Sequence, residues 1–146
     1  MTDLSLEQAK AIVRESLARG RLTNLAPLTV AVLDAGGHLK CFAREDGSGV
    51  LRGDIATAKA WGALGMGFGS RTLHQRAMES DRSRVFFAAL SDVSGGRVVP
   101  VPGGVLIRDA AGHIVGAVGI SGDTSEKDEA CAIAGIEAAA LRADPG

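Results

Sequence analysis

The sequence predicts an α+β domain in which helices cover an antiparallel sheet. Two hairpins and the order of the elements lead to this class. Val105 to Asp109 and Ile114 to Ser121 read as strands joined by a turn rich in Asp, Ala and Gly, while Leu28 to Leu33 and His38 to Arg44 read as a second pair joined by Asp34-Ala-Gly-Gly37. Helical patterns precede, separate and follow these pairs. Strands that pair as consecutive hairpins exclude a doubly wound parallel sheet, which needs a crossover between neighbours.

The first element is an amphipathic helix. Ser5 and Gln8 make a capping box, Leu6, Ala9, Val13 and Leu17 recur at helical spacing, and Gly20 is the natural stop. After a loop containing Pro27 comes the first hairpin, whose turn uses Asp as a cap and Gly for its left-handed position. Val32-Leu-Asp-Ala-Gly-Gly-His-Leu39 is echoed by Ile107-Arg-Asp-Ala-Ala-Gly-His-Ile114. The echo covers one turn each time and predicts the same local geometry twice. It also gives His38 and His113 an ordinary structural role as polar residues opening a strand.

From Gly53 to about Met66 the pattern is helical, with Ile55, Ala58, Lys59, Gly62 and Met66 on one stripe. Lys59 therefore carries an ammonium on an apolar face. Such a group needs an acid, carbonyls or an anionic ligand, unless its stem reaches out to solvent. Asp54 near the helix start suits the macrodipole. Gly67-Phe-Gly-Ser70 breaks this helix and Ser70 is expected to cap the next, in which Leu73 and Ala77 share a face and His74 lies beside it. Ser83 to Leu90 reads as a further short helix, and Ser91 to Gly96 as a loop.

Gly95 to Gly122 is the stretch around which the chain is organised. Gly95-Gly96 and Gly103-Gly104 flank Val98-Val-Pro-Val-Pro102, an extended, donor-poor approach to the second hairpin and a candidate rim for a binding site. In the strand that follows, Ile114, Gly116, Val118 and Ile120 alternate with Val115, Ala117, Gly119 and Ser121. With no charge on either face this strand should be central, its small residues placed where a helix, a ligand or another backbone comes close. A last helix begins with the acids Glu126, Asp128 and Glu129, and its inner face is expected to carry Ala130, Ile133, Ala134, Ala138 and Leu141.

The 146 residues fit one domain spanning 1–146, large enough to bury a core without staples. A formal net charge of −1 with mixed signs gives no face built for nucleic acid or anionic lipid. The N-terminus is acidic and polar, and no apolar run is long enough for a membrane span, so a cytoplasmic protein is expected. Cys41 and Cys131 are expected as free core thiols. Packing must rely on Val, Ile, Leu and Ala, because the chain has one Trp, four Phe and no Tyr. The common nucleotide-binding, zinc-protease and serine-hydrolase signatures are absent.

Four motifs in order carry a resemblance. They are Val30-Ala-Val-Leu-Asp-Ala-Gly-Gly-His-Leu39, Asp54-Ile-Ala-x-x-Lys-Ala60, Gly96-Arg-Val-Val-Pro-Val-Pro-Gly-Gly-Val105, and Val115-Gly-Ala-Val-Gly-Ile-Ser-Gly122 followed by Asp128-Glu129. From about Leu4 to Leu141 the chain resembles the GlcG/HbpS-like proteins, which include the C-terminal domain of PduO-type proteins. The resemblance implies a profilin- or PAS-like five-stranded antiparallel sheet flanked by helices, a homo-oligomer, and a small-molecule site, with haem or a related tetrapyrrole as the first expectation.

Haem asks for an axial donor, an apolar slot and basic groups for its propionates. Available donors are His38, His74, His113, Met66 and Lys59, of which His38 is favoured because its hairpin matches the family pattern. Arg44, Arg71 and Arg97 could meet carboxylates. The competing expectation is an enzyme or sensor for a small carboxylate or carbonyl compound. Arg97 and the Gly103 and Gly104 amides would hold the anion beside Ser121, Lys59 would supply positive charge, and Asp128 or Glu129 would act as acid or base. A third possibility, an oligomer-forming module without a ligand, becomes the default if Arg97 and Lys59 both sit in surface ion pairs.

Overall fold

A computed structural model describes residues 3–146. Its elements are α1 (Leu6–Leu22), β1 (Thr29–Asp34), β2 (Leu39–Arg44), α2 (Arg52–Met66), α3 (Ser70–Ala77), α4 (Asp81–Val93), β3 (Gly104–Arg108), β4 (Ile114–Ser121), α5 (Ser125–Ala138) and β5 (Arg142–Asp144). The five strands form one sheet in the order β2-β1-β4-β3-β5, and every neighbouring pair is antiparallel. The sheet is the expected one, with β4 at its centre.

Helices α1 and α5 cover one face over Val30, Val32, Val105, Ile107, Val118 and Ile120. Helix α2 covers the other, over Leu33, Leu106 and Ala117. The second layer is unusually thin because both surfaces are small. A Cβ on Gly119 would stand 1.7 Å from the Ala56 carbonyl oxygen, and one on Gly104 would stand 2.1 Å from that of Lys59. The helix answers with Ala56, Ala60 and Ala63, all fully buried. Glycine on the sheet and alanine on the helix therefore bring two backbones into direct contact.

The capping box forms at α1: Ser5 Oγ accepts from Gln8 N at 3.1 Å and Ser5 N donates to Gln8 Oε1 at 3.0 Å. The echoed turns also share one geometry. Asp34 accepts from the backbone N–H groups of Gly36 and His38, Asp109 accepts from those of Ala111 and His113, and Gly37 and Gly112 take φ of 82° and 90°.

Several local expectations are corrected. Gly20 does not stop α1; it lies inside the helix, where its missing Cβ admits Leu28. Leu6 is exposed, and Ile12 fills the buried stripe beside Ala9 and Val13. Ser70 is the first residue of α3 rather than its cap, which is Gly69. Helix α4 runs on to Val93, so Ser91 to Val93 are helical. A bulge opposite Arg108 interrupts the alternation of β4, where pairing passes from Gly116 to Ile114. Val115 consequently joins Val118 and Ile120, and Ile114 packs with Ala117. The inner face of α5 is rotated from the expected one: Asp128, Cys131, Ala132, Gly135 and Ile136 are buried, while Ala130 and Ala138 are exposed. The fifth strand follows α5 and is three residues long, too short to leave a periodic pattern.

The contact between α2 and β4 predicts a sharp contrast. Gly119→Ala should lower stability by at least about 1–3 kcal/mol, the usual cost of overpacking. Gly65→Ala, in an exposed position of α2 with 3.4 Å to its nearest neighbour, should raise it by up to about 1 kcal/mol. Urea unfolding of both variants checks this, and equal effects would refute the close-contact account.

Candidate functional site

Lys59 projects from the middle of α2 into the seam between the helix and β4, and is 2% exposed. Its Nζ donates to the Ile120 carbonyl at 2.8 Å and to Asp128 Oδ2 at 3.3 Å. Asp128, in the first turn of α5 and 1% exposed, also accepts from the amides of Gly122 at 3.3 Å and Asp123 at 2.9 Å. This one pair links α2, the end of β4, the β4–α5 loop and α5. Burial pushes the Lys59 ammonium below its ordinary pKa, and the attraction of Asp128 opposes that shift. Burial likewise pushes the Asp128 carboxyl up, against the amides and the ammonium that favour its charge.

A second polar link lies nearby. Glu129, 6% exposed at its side chain, receives both Nε and Nη2 of Arg71 from α3. Ser70, fully buried, accepts from the Gly104 amide at 2.7 Å. Gly103, with φ 121°, leaves no room for a Cβ, which would stand 2.8 Å from Lys59 Nζ. Its carbonyl accepts from Ile120 N. Lys59, Asp128, Glu129, Gly103 and Gly104 are thus brought together, but they satisfy one another and the backbone. As arranged, the group holds elements in place, and Lys59 Nζ keeps one N–H beyond its two acceptors.

Arg97 and Lys59 do not sit in surface ion pairs, so the condition for a ligand-free module is not met. Arg97 donates from Nε to the Ser94 carbonyl at 2.7 Å and lies over Trp61, with Cζ 3.9 Å from the ring centroid. This stacked pair forms the end of a slot between α2 and α4. One cavity there, of about 180 Å³, is lined by Trp61, Gly65, Met66, Leu90, Val93, Ser94, Arg97 and Val98. A second, of about 340 Å³, is lined by Met66, Arg76, Glu79, Ser83, Phe86 and Phe87. Met66 borders both. Arg76 repeats the stacking arrangement at the far end, its Cζ 4.3 Å from the Phe68 centroid.

The histidines lie elsewhere. His38 is 82% exposed at its side chain, with Nδ1 3.3 Å from Asp34 Oδ1, and His113 pairs with Asp109 at 3.4 Å in the same manner. His74 Nδ1 lies 3.2 Å from the Pro100 carbonyl. The turn carrying His38 adjoins the slot at Trp61: Gly37 packs against Trp61 Nε1, and Ala35, Gly36 and Gly37 share a small cavity with Trp61, Leu64 and Gly65. Arg44 and Ser121 occupy the opposite end of the α2 face, joined through Thr29, which pairs with both in the sheet. Among the described residues no group of three or more His, Cys, Asp or Glu side chains could hold a metal ion.

The sequence profile described as haem degrading protein HbpS-like matches residues 4–137. The chain belongs to the HbpS-like family. No curated protein matches it by sequence. Solved structures with the same fold include a PduOC:heme complex, 24% identical with a TM-score of 0.82 over 94% of this chain and 95% of that one. Klebsiella pneumoniae protein ORFY is 22% identical with a TM-score of 0.85 over 96% and 93%, and HbpS is 25% identical with a TM-score of 0.78 over 94% and 90%.

Within this HbpS-like fold, Trp61, Arg76, Leu90 and Val93 escaped the sequence reading because no motif marks them; the only signal was a lone Trp in a chain poor in aromatics. Arg52 also went unnoticed, although it stands seven residues before Lys59 on the same face.

Lys59→Met should cost about 3–5 kcal/mol by leaving the Asp128 carboxylate buried without its cation. Lys59→Met/Asp128→Asn should recover much of that loss. Asp128 has a raised folded pKa, so its contribution is present below 3.8 and lost as pH rises through the folded value. Lys59 has a lowered one, so its contribution is present above 10.5 and lost as pH falls through the folded value. Against the double variant, the native chain should therefore be relatively least stable between these windows. Urea midpoints across pH test this, and a relative maximum at neutral pH would contradict it.

Proposed function

We propose that the protein binds haem or a related tetrapyrrole in the slot between α2 and α4. The observation that carries this reading is an apolar cavity ending at the stacked Arg97, beside a more polar one, lined also by Glu79 and Ser83, that carries the stacked Arg76. Trp61, Leu90, Val93, Phe86 and Phe87 supply apolar walls, and Arg97 and Arg76 supply cations for carboxylate groups. Met66, which lines both cavities, would be the donor facing the iron. Family membership and the heme complex of a structural neighbour support the choice of ligand class.

Bound haem would supply a redox-active iron. The chain's own residues would seat the macrocycle, orient its carboxylates and keep water from one face. Degradation and sensing are two uses of such a site, and both begin with this binding step. The proposal places the protein in the cytoplasm, in keeping with Cys41 and Cys131 as unpaired thiols. Cys131 is inert in this scheme, since burial pushes its thiol up to about 11.

Helix α4 supports a further part of the reading, self-association as a homo-oligomer. It has no buried residue, and Val85, Phe86 and Val93 are 70%, 53% and 84% exposed. Val85 does not line the slot. Val85→Asp should therefore reduce the assembled fraction in light scattering without weakening ligand uptake by the subunit; an unchanged mass would remove α4 from the interface.

Because Trp61 is the sole Trp and Tyr is absent, intrinsic fluorescence reports on the slot alone. Haem should quench it saturably while a Soret shift develops. Arg97→Ala should weaken binding about tenfold, as expected for losing a charge-assisted contact of about 1.4 kcal/mol. Met66→Leu should change the Soret position at near-constant packing. No saturable quenching would reject the slot, and a shift lost only in His38→Ala would move the site to the β1–β2 turn.

A further inference from the structure

A second polar cluster lies at the other end of α2, apart from the slot. Arg44, Thr29 and Ser121 stand in register on β2, β1 and β4, so their side chains share one row on the face turned to α2. Two strand spacings, roughly 10 Å, separate the ends of this row. Thr29 and Ser121 are fully buried, and Thr29 Oγ1 lies 2.7 Å from Ser48 Oγ.

An arginine stands at each end. Arg52, the first residue of α2, donates from Nη1 to Ser121 Oγ at 3.0 Å. Arg44 donates from Nη1 to the Ser48 carbonyl at 3.4 Å. Each guanidinium makes one hydrogen bond to the wall, which leaves most of its five N–H groups for something else. Among the described residues neither has a carboxylate within ion-pair distance.

The surrounding charges leave the imbalance in place. Lys59, one helical stripe along from Arg52, adds positive charge, and its partner Asp128 is already occupied. Glu45, next to Arg44, is held by Arg21 and by the Leu28 amide. Asp46 and Asp54 are exposed, and Glu126 acts on Lys59 only at a distance. The start of α2 has no side-chain cap, so its first amides add to the same field. Arg44 also borders an open cavity of about 420 Å³, which it shares with Arg21, Pro27, Glu45 and Asp46.

We propose that Arg44 and Arg52 form a binding site for a small dianion, a phosphate or a short dicarboxylate, held between their two guanidinium groups. The site is independent of the slot. The two classes share the chemistry of paired oxyanion charge and differ in shape, which a titration separates.

Calorimetric titration of the full chain with inorganic phosphate and with malonate, at constant ionic strength and with acetate as a monoanion control, tests the proposal. At least one dianion should bind saturably and at least tenfold more tightly than acetate. Arg44→Gln changes an exposed side chain and should leave the fold intact; it and Arg52→Gln should each weaken binding at least tenfold, whereas Arg14→Gln on α1 should not. A phosphate preference assigns a tetrahedral anion, and a malonate preference a dicarboxylate. Absence of saturable binding by both dianions, or binding indifferent to Arg44→Gln, would overturn the site. Trp61 quenching by haem should be unchanged in Arg44→Gln, so failure here is distinguishable from failure of the slot.

Discussion

The contact between α2 and the centre of the sheet is the constraint on which the rest of the structure depends. Gly119 and Gly104 remove every side chain from the place where the helix backbone crosses, and the alanines of α2 fill the remaining space. At that distance a lysine in the middle of the helix has no path to solvent. Lys59 must therefore be satisfied where it lies, and Ile120 and Asp128 satisfy it. Taking two charges out of water is costly, and the pair persists because the carbonyl and the loop amides complete its hydrogen bonds. Its effect is positional: it holds the first turn of α5 with Asp128 over the end of β4.

The same arrangement decides where a ligand can go. Residues whose types suit catalysis, Lys59, Asp128 and Glu129, also hold α2, α3 and α5 to the sheet. Polar capacity left over appears at the two ends of α2, where the helix leaves the sheet. At its C-terminal end Trp61 and Met66 meet α4, which lies on α3 and covers nothing completely. At its N-terminal end Arg52 reaches back to the strand row. One helix thus carries an apolar slot and a basic cluster separated by a closed polar centre.

Much of the fold was legible because local chemistry and global packing agree. Both Asp-x-x-Gly-His turns form as read, since the Asp carboxylate and a left-handed glycine determine them without outside help. The central place of β4 followed from its uncharged faces. Elements whose evidence is not local were misplaced: Gly20 signals a helix end by propensity, yet Leu28 needs its missing side chain, and Ser70 reads as a cap, yet the Gly104 amide claims its hydroxyl. The inner face of α5 could not be found from apolar spacing, because two of its buried residues are acids.

The sequence by itself determined the α+β class, the two hairpins, the family motifs and the anomaly of a lysine on an apolar stripe. Each of these is written in contacts within a few residues or in periodicity along one element. Only the tertiary structure decided which groups remain free to act. Lys59 and Asp128 are 69 residues apart in the chain, and so are Arg52 and Ser121. Whether a charged side chain is a site or a support depends on what the fold brings against it, and that pairing leaves no trace in the spacing of either residue.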